Sequence, residues 1–241
     1  MSRMLGMILP AGVQSEECFG NPPGGVLFPE EEKVIAHAVA ARRRDYATVR
    51  SCARACLGRL GYPPVPILPG VGGAPMWPAG IRGSMTHCVG YAAAAVGTAP
   101  RISTIGIDAE PDAPLPDGVL GLVATPLEQN GLAVMRPGPV EEGRASTSSA
   151  RMMTQPGLDS PNWDRLLFSA KEAVYKAWVP LVGEWLDPQE TEILLHPLDQ
   201  TFTAILCRDG LIINGHQIHQ VHGRWTRKQA ILATAVVVTS M

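Results

Sequence analysis

The stretch TIGIDAEP, residues 104–111, decides how the rest of this chain is organised. Apolar residues alternate in it with Gly, Asp and Glu, which is the period of two expected for a half-buried β-strand. Asp108 and Glu110 therefore lie on one face of the strand, about 6.6 Å apart. Two bare carboxylates at that distance repel by about 2.5 kcal/mol at an effective dielectric of about 20. A bound divalent cation with oxygen ligands would offset the repulsion, although a solvated acidic strand end has the same spacing.

A second motif, FSAKEAVYKAW at residues 168–178, has the pattern of an amphipathic helix. Ser160 as N-cap and Pro161 as first helical residue predict where this helix begins. Apolar residues recur at helical spacing and predict one buried face, formed by Leu166, Leu167, Ala170, Val174, Ala177, Trp178 and Leu181. Glu172 and Lys176 are four residues apart and therefore lie side by side. Taken alone, such a pair is usually an ordinary surface ion pair.

Composition and charge narrow the class of protein. The chain has 241 residues, of which 46% are hydrophobic and 17% charged, as in soluble globular proteins. Its net charge of −2 does not favour a nucleic-acid-binding protein. The five cysteines have no paired spacing, the first residues lack a signal-peptide core, and the apolar run 231–238 is too short to span a bilayer. We therefore expect a reduced, cytoplasmic protein without a membrane or nucleic-acid partner.

The N-terminal part predicts one helical region between loops. Residues 4–9 are typical of a short strand, and the Gly- and Pro-containing residues 10–28 predict a loop. A helical region, continuous or with one break, should run from Pro29 to about Leu60 and end before Gly61. Its predicted buried stripe consists of Val49, Cys52, Ala53, Cys56, Leu57 and Leu60. Its other surface carries Arg42, Arg43, Arg44, Arg50 and Arg54, and a run of this kind is usually a solvated face.

The segment GSMTHCVGYAAAAVG, residues 83–97, contains a cluster of phosphate-binding side-chain types. Ser84, Thr86 and His87 supply three donors within four residues. A single histidine is more often a core residue than a ligand-binding group, so the cluster alone leaves both interpretations open. The Pro- and Gly-rich residues 61–80 before it predict a loop.

Beyond Pro111 the pattern becomes irregular. Residues 130–160 have no lasting periodicity and predict a long, mobile loop. Further strands are predicted at 192–195, 202–207, 211–213 and 230–238. His216, His219 and His222 have the spacing of one helix face, but the glycines around them favour a loop without a metal.

Together, the pattern [IV]-G-[IV]-D-x-E and F-S-x-K-E-x-x-x-K resembles the 4′-phosphopantetheinyl transferases. The similarity is greatest to the larger type that activates surfactin and enterobactin synthetases, and within it to the actinobacterial branch. It extends from about Arg42 to the C-terminus. The resemblance implies an α+β fold of two pseudo-symmetric α/β halves, at residues 1–103 and 104–241, with the active site at their junction. A monomer is also implied.

The resemblance implies a transferase that moves the 4′-phosphopantetheine arm of coenzyme A to a serine of apo acyl or peptidyl carrier proteins. Such proteins serve fatty-acid, polyketide and non-ribosomal peptide biosynthesis. Adenosine 3′,5′-bisphosphate would be released, and Mg²⁺, for which Mn²⁺ can substitute, would be required. A non-catalytic coenzyme A- or carrier-binding protein and another Mg²⁺-dependent phosphohydrolase are the alternatives.

The resemblance also assigns roles to individual residues. Those implied to bind coenzyme A are Arg42, Arg50, Ser84, Thr86, His87, Lys171 and Lys176. The implied metal ligands are Asp108, Glu110 and Glu172, with Glu172 also as general base and Lys176 as the second catalytic residue. Two features depart from the family pattern. Residues 61–80 contain no lysine, so either fewer charges or another residue must hold the coenzyme, and the stretch between Glu110 and Glu172 contains an insertion.

Overall fold

The computed structural model describes residues 4–20, 24–135, 160–208, 212–213 and 215–240. These ranges form a mixed α+β fold, which confirms the predicted class. The helices are α1 (Pro29–Val34), α2 (Ala40–Arg59), α3 (Val119–Val123), α4 (Pro126–Met135) and α5 (Trp163–Val182). The strands are β1 (Gln14–Phe19), β2 (Ile81–Cys88), β3 (Tyr91–Thr98), β4 (Ile102–Pro111), β5 (Thr191–His196), β6 (Thr201–Leu206), β7 (Ile212–Ile213), β8 (His216–Gln217), β9 (Gln220–Lys228) and β10 (Ile231–Thr239). No helix in these ranges is long and apolar enough to cross a membrane.

The strands form two main antiparallel sheets. One has the order β1-β3-β2, and the other has the order β4-β10-β9-β6-β5. The acidic strand β4 begins two residues earlier than its sequence pattern indicated, and Asp108 lies opposite Thr234 of β10. β4 is therefore an edge strand of the larger sheet, with its other side available to the smaller one.

Side-chain hydroxyls join the two sheets where β2 packs against β4. The backbone N–H of Ile107 donates to Ser84 Oγ at 3.1 Å, and the N–H of Ala109 donates to Thr86 Oγ1 at 3.0 Å. These hydroxyls accept the hydrogen bonds that a neighbouring strand's carbonyls would otherwise accept. Side chains therefore bridge the two strands. We call these contacts of Ser84 and Thr86 with β4 the hydroxyl seam.

The long helix α5 lies directly on β4 because the contact contains only small groups. A Cβ at Gly106 would lie 1.9 Å from the Ala173 carbonyl oxygen and 2.6 Å from the Ala177 nitrogen. Glycine is therefore required at 106 for this close approach. Thr104 Oγ1 adds a 2.7 Å hydrogen bond to the Ala177 carbonyl. The contact brings the two sequence motifs together.

The predicted apolar face of α5 is confirmed, but its beginning is not. Six of the seven predicted residues are buried, and Leu181 is partly buried against the same core. The helix begins at Trp163, with Asn162 as N-cap in place of Ser160. Asn162 is extended, and both its backbone and side-chain nitrogens donate to Asp112 Oδ1. These bonds hold the chain in a non-helical conformation until that point.

The N-terminal prediction is correct for the helices and wrong for the first strand. The helical region is interrupted after Val34 and ends at Arg59, and Gly61 has a positive φ of 81°. Residues 5–7 form a 3₁₀ turn, whereas the first strand is β1, inside the predicted loop. The sequence of β1 is polar because it is an edge strand with mostly half-exposed side chains.

Two helices and two strands in the C-terminal part were not predicted. α3 and α4 follow the acidic strand, so residues 130–135 are helical and not loop. The rest of the predicted mobile loop, residues 136–159, lies outside the described residues. β5, β6, β7 and β10 lie where strands were expected, and β8 and β9 are additional. His216 belongs to β8 and His222 to β9, so they share no helix face.

Candidate active site

A cavity of about 690 Å³ opens where α2, β2, β4 and α5 meet. The loop at residues 69–75 closes one side of it. All but one of the residues implied by the sequence resemblance line this cavity: Arg42, Arg50, Ser84, Thr86, His87, Asp108, Glu110, Glu172 and Lys176. The fold therefore brings together residues that are as much as 134 positions apart (176 − 42) in the sequence.

Asp108 is the most buried of the three predicted metal ligands, with 4% of its surface exposed. Its Oδ1 accepts hydrogen bonds from Lys176 Nζ at 2.6 Å and from Thr86 Oγ1 at 3.2 Å. Its Oδ2 is buried and has no hydrogen-bond partner among the described residues. Leaving a buried carboxylate oxygen without a partner is costly, so Oδ2 is a candidate ligand atom.

The other two carboxyls have perturbed acidity. Burial raises the pKa of Glu110, the charge of Asp108 raises it further, and Arg165 opposes both effects. Burial also raises the pKa of Glu172, with Lys176 opposing and Asp108 adding to the rise. The surroundings of both carboxyls thus disfavour the ionised form, because the nearby positive charge does not compensate for burial.

These observations fit a hard divalent cation. The donors are carboxylate oxygens, one of them unpartnered, and the acidity of the other two groups indicates that a positive charge would be favourable. In the described ranges, no three such side chains are already close enough to hold a metal unaided. Mg²⁺ commonly takes one or two carboxylates together with water and substrate phosphate, which suits this arrangement. Asp108, Glu110 and Glu172 would hold the ion here.

Lys176 supplies positive charge at this end of the cavity. It lies four residues after Glu172 on the same face of α5, as predicted, and 27% of its side chain is exposed. Its ion pair with Asp108 joins the helix to the acidic strand. A partly exposed ammonium group with this position can also bind an anion that enters the cavity.

Arg42 of α2 and His87 of β2 form a second polar pair in the cavity wall. We call the part of the cavity lined by Arg42 and Arg50 the arginine end. Arg42 Nη1 lies 3.0 Å from His87 Nε2. A guanidinium can only donate, so His87 Nε2 is the acceptor of this bond. Burial and the charge of Arg42 lower the pKa of His87. Arg42 itself is exposed. The pair therefore offers an anion one exposed guanidinium whose position is set by a neighbouring ring.

Arg50 is buried, contrary to the solvated arginine face that composition suggested. It is 5% exposed, its Nε donates to the Ile67 carbonyl at 2.9 Å, and its guanidinium carbon lies 3.1 Å from the centre of the Tyr46 ring. Burial lowers its pKa to about 10. The charge of Glu31 in α1 opposes this shift. Glu31 is fully buried, lies 3.6 Å from Arg50 Nε and accepts hydrogen bonds from Arg54.

Glu31 was missed by sequence reasoning. It is one of three consecutive acids in the first turn of α1, and it accepts from the backbone N–H groups of Phe28 and Ile67, each at 2.9 Å. A buried carboxylate saturated in this way fixes the positions of Arg50 and Arg54. The spacing of acids in one helical turn gives no sign of which one points inward.

Lys171 is the one implied residue that does not line the cavity. Its Nζ donates to the carbonyls of Pro188 at 2.7 Å and Thr191 at 2.6 Å and pairs with Glu128 at 2.9 Å. These three partners use all three ammonium hydrogens. Lys171 is separated from Lys176 by about 140° around the helix, because successive residues turn by about 100°. The structure thus gives Lys171 no contact with the implied coenzyme site.

Arg165 belongs to the site but was not predicted. Its Nη1 donates to Glu110 Oε2 at 3.0 Å. It lies seven residues before Glu172, which is two turns of helix and hence the same face. That spacing was visible in the sequence and would have identified it. Phe168 and Tyr175, on the same face, also line the cavity.

Comparisons with known proteins agree with this site. Residues 30–97 match the family model of the 4′-phosphopantetheinyl transferase N-terminal domain, and residues 104–229 match that of the 4′-phosphopantetheinyl transferase superfamily. The transferase Svp of Streptomyces mobaraensis is 44% identical over 98% of this chain and 90% of its own length. The transferase PptT of Mycobacterium tuberculosis is 37% identical over 98% of both chains. The transferase Npt of Nocardia iowensis is 42% identical over 97% of this chain and 99% of its own. The chain therefore belongs to the 4′-phosphopantetheinyl transferase family and is a transferase enzyme.

Proposed function

We propose that this enzyme transfers the 4′-phosphopantetheine arm of coenzyme A to a serine hydroxyl of an apo acyl or peptidyl carrier protein. The observation that carries the proposal is the convergence of Asp108, Glu110, Glu172 and Lys176 on one cavity that also contains Arg42 and Arg50. Carboxylates for a cation and basic groups for phosphate are the two requirements of phosphoryl chemistry on coenzyme A.

The reaction forms one P–O bond and breaks another. The serine oxygen attacks the pyrophosphate phosphorus that carries the pantetheine arm, and adenosine 3′,5′-bisphosphate leaves with the bridging oxygen. When bound by Asp108, Glu110 and Glu172, Mg²⁺ would neutralise charge on the pyrophosphate oxygens. Lys176 would bind the same anion through its ammonium group.

Glu172 is the proposed base for the serine proton. A general base is most effective when its pKa is close to the working pH, and the pKa of Glu172 is displaced upward by burial. It accepts the proton directly or through one water. Mutation to an amide would keep the shape of the side chain and remove this capacity.

The nucleotide end of coenzyme A is assigned to the arginine end of the cavity. Arg42 and Arg50 would bind the 3′-phosphate, because a guanidinium can form paired hydrogen bonds with phosphate oxygens. Ser84, Thr86 and His87 remain proposed contacts, although both hydroxyls already accept backbone hydrogen bonds in the hydroxyl seam. Lys171 is omitted from the proposed set. The loop 69–75 brings glycines and prolines to the cavity where the family pattern has lysine, so both explanations of that absence stay open.

The finer classification also belongs to this proposal. We assign the enzyme to the larger, surfactin-synthetase-activating type and its actinobacterial branch, supported by relatives from Streptomyces, Mycobacterium and Nocardia that match over nearly the whole chain. The division into halves at residues 103 and 104 is supported by the two family matches on either side. A cytoplasmic monomer is proposed, and its five cysteines are all free, as in a reducing compartment.

The test is incubation of the full chain with coenzyme A, Mg²⁺ and an apo carrier, followed by mass spectrometry of the carrier. We expect a gain of about 340 Da on one serine, as for any covalent modification by this arm. A protein that only binds coenzyme A leaves the carrier unmodified. A phosphohydrolase consumes coenzyme A without the gain, and either outcome refutes the proposal. A panel of acyl and peptidyl carriers would then define the preferred partner.

A further inference from the structure

Arg165 is bound to the end of the acidic strand by all three of its guanidinium nitrogens. Nη1 donates to Glu110 Oε2 at 3.0 Å, Nε to the Ala113 carbonyl at 3.0 Å and Nη2 to the Pro114 carbonyl at 2.7 Å. Only 15% of its side chain is exposed. A planar fork with three fixed acceptors has little freedom to rotate, so the position of Arg165 is determined by the turn that follows β4.

Neighbouring bonds fasten the same turn to the start of α5. Asp112 Oδ1 accepts from the Asn162 backbone at 2.8 Å and from its side chain at 2.9 Å, and the Leu115 N–H donates to Asp164 Oδ2 at 3.3 Å. Arg165 is the member of this network that contacts a proposed metal ligand. The network therefore connects the orientation of Glu110 to the helix that carries Glu172.

Arg165 and Lys176 hold the two strand carboxylates differently. Among the described residues, Lys176 donates only to Asp108, and it is more exposed, whereas Arg165 has two carbonyl partners besides Glu110. Lys176 can leave its carboxylate for an incoming anion without losing other bonds. Arg165 would lose its two bonds to backbone carbonyls if it moved, and these bonds hold it beside Glu110.

We propose that Arg165 is a positioning residue for the metal site: it fixes Glu110 through Oε2 and leaves Oε1 to ligate the divalent cation. This inference rests on the proposed function, because it takes Glu110 as a ligand. Residues that orient metal ligands in this way typically contribute about 10- to 100-fold to metal affinity. No sequence motif of the family implied this role for Arg165.

Orientation and simple electrostatics predict opposite effects of removing Arg165. If Arg165 only added positive charge beside Glu110, Arg165→Gln would strengthen cation binding, because a repelling charge would be lost. If Arg165 positions Glu110, the same change weakens binding, because a flexible glutamate must then be ordered by the metal. Arg165→Lys keeps the charge and loses the planar fork. It should therefore weaken cation binding if Arg165 positions Glu110, and leave binding unchanged if only the charge matters.

The experiment is a titration of the full chain with Mn²⁺ in the presence of coenzyme A and without a carrier, with free Mn²⁺ measured by electron paramagnetic resonance. We expect both variants to raise the Mn²⁺ dissociation constant about tenfold. Arg59→Gln is the matched control, because Arg59 binds Glu16 and the Ser15 carbonyl far from the cavity, and it should leave the constant unchanged. Melting curves establish that each variant is folded.

Tighter Mn²⁺ binding by Arg165→Gln, or wild-type binding by Arg165→Lys, overturns the positioning role. The double variant Glu110→Gln/Arg165→Gln should bind Mn²⁺ no more weakly than Glu110→Gln alone, and an additional loss also overturns it, because Arg165 would then act elsewhere. If Arg165→Gln fails to fold, Arg165→Lys decides. Absence of Mn²⁺ binding by the wild type refutes the metal assignment and this inference together, whereas the carrier mass assay tests the transferase proposal independently.

Discussion

Two lysines of α5, five residues apart in one motif, have opposite environments. Lys176 is 27% exposed, lines the cavity and binds Asp108, whereas the Lys171 side chain is 4% exposed and bound to Glu128 on the other side of the helix. The motif F-S-x-K-E-x-x-x-K therefore contains two structural units. Glu172 and Lys176 face the proposed chemistry, and Lys171 joins α5 to the elements behind it.

The buried pair is a junction between four elements. Glu128 of α4 accepts from the N–H groups of Thr125 at 2.7 Å and Ile193 at 2.6 Å, in addition to Lys171. Lys171 donates to the carbonyl of Pro188, which begins the turn before β5, and to the carbonyl of Thr191, the first residue of β5. Burial lowers the pKa of Lys171, and the bond to Glu128 opposes that effect. Substitutions on these two faces of α5 should therefore cause separable defects, one in turnover and one in stability.

The largest expected effect is on turnover, at the cavity face. Glu172→Gln should lower kcat for carrier modification by about 10²- to 10⁴-fold, because a positioned general base contributes that much. Coenzyme A binding, measured by calorimetry, should be affected far less. A variant with kcat within tenfold of the wild type would show that Glu172 is not the base.

The next effect is on stability, at the buried face. Lys171→Met should lower the free energy of unfolding by about 3–5 kcal/mol, because it leaves the Glu128 carboxylate buried without its cation. Urea unfolding measures the loss, and kcat per folded molecule at low temperature should stay near the wild-type value. The exposed Lys33→Met is the control. Adding Glu128→Gln should restore part of the stability.

A selective loss of kcat in folded Lys171→Met would contradict this division. It would mean that Lys171 reaches the coenzyme despite its three partners. In that case the two lysines would act as the single unit that the sequence motif suggested.

The difference between these lysines also shows how far sequence reasoning extends. Alternation in β4 and helical spacing in α5 located the acidic strand and the helix because one face of each is buried. The spacing of Glu172 and Lys176 predicted that they lie side by side, whereas their roles were implied only by the family resemblance. The direction of Lys171 did not follow from spacing, because its partner Glu128 lies in a helix whose short, weakly amphipathic sequence was taken as loop.

Other missed features have related physical causes. β9 carries charged and histidine side chains at its exposed positions, and Gly223 stands where the ring of Phe202 would contact any side chain at 2.0 Å. Its pattern is therefore a strand interrupted by an apparent turn residue. Burial of Glu31 beneath two arginines depends on tertiary contacts with Ile67, which no local pattern encodes.

A smaller effect is expected at the arginine end. Arg50→Ala should weaken coenzyme A binding by about 1.5–3 kcal/mol, typical of a charge-assisted hydrogen bond, and weaken dephospho-coenzyme A binding much less. Arg54→Ala is a matched control, because Arg54 shares the Glu31 partner but does not line the cavity. Calorimetry with both ligands gives the comparison. Equal losses for the two ligands would show that Arg50 does not bind the 3′-phosphate.

The smallest effect concerns the cost of keeping Glu172 ionised. Burial, with the charge of Asp108, raises its pKa in the folded protein, so the folded state binds this proton more tightly than the unfolded state. Stability of the metal-free enzyme should therefore fall as pH rises through the raised pKa, and increase as pH falls toward the ordinary value of 4.5. Glu172→Gln removes this titration. In EDTA it should melt above the wild type at neutral pH.

The pH dependence separates this effect from a general change in packing. The difference in melting temperature between Glu172→Gln and wild type should shrink as pH is lowered from 7.5 toward the ordinary carboxyl value of 4.5, because the wild-type carboxyl takes up its proton over this range. The exposed Glu30→Gln serves as the control and should show no such gain at neutral pH. If Glu172→Gln lowers stability equally at all pH values, the cost of burying Glu172 does not come from its raised pKa. If the gain appears and shrinks as expected, burial of the basic Glu172 carboxylate on the cavity face of α5 lowers the stability of the enzyme. Lys171, on the other side of the helix, raises that stability through its buried bonds.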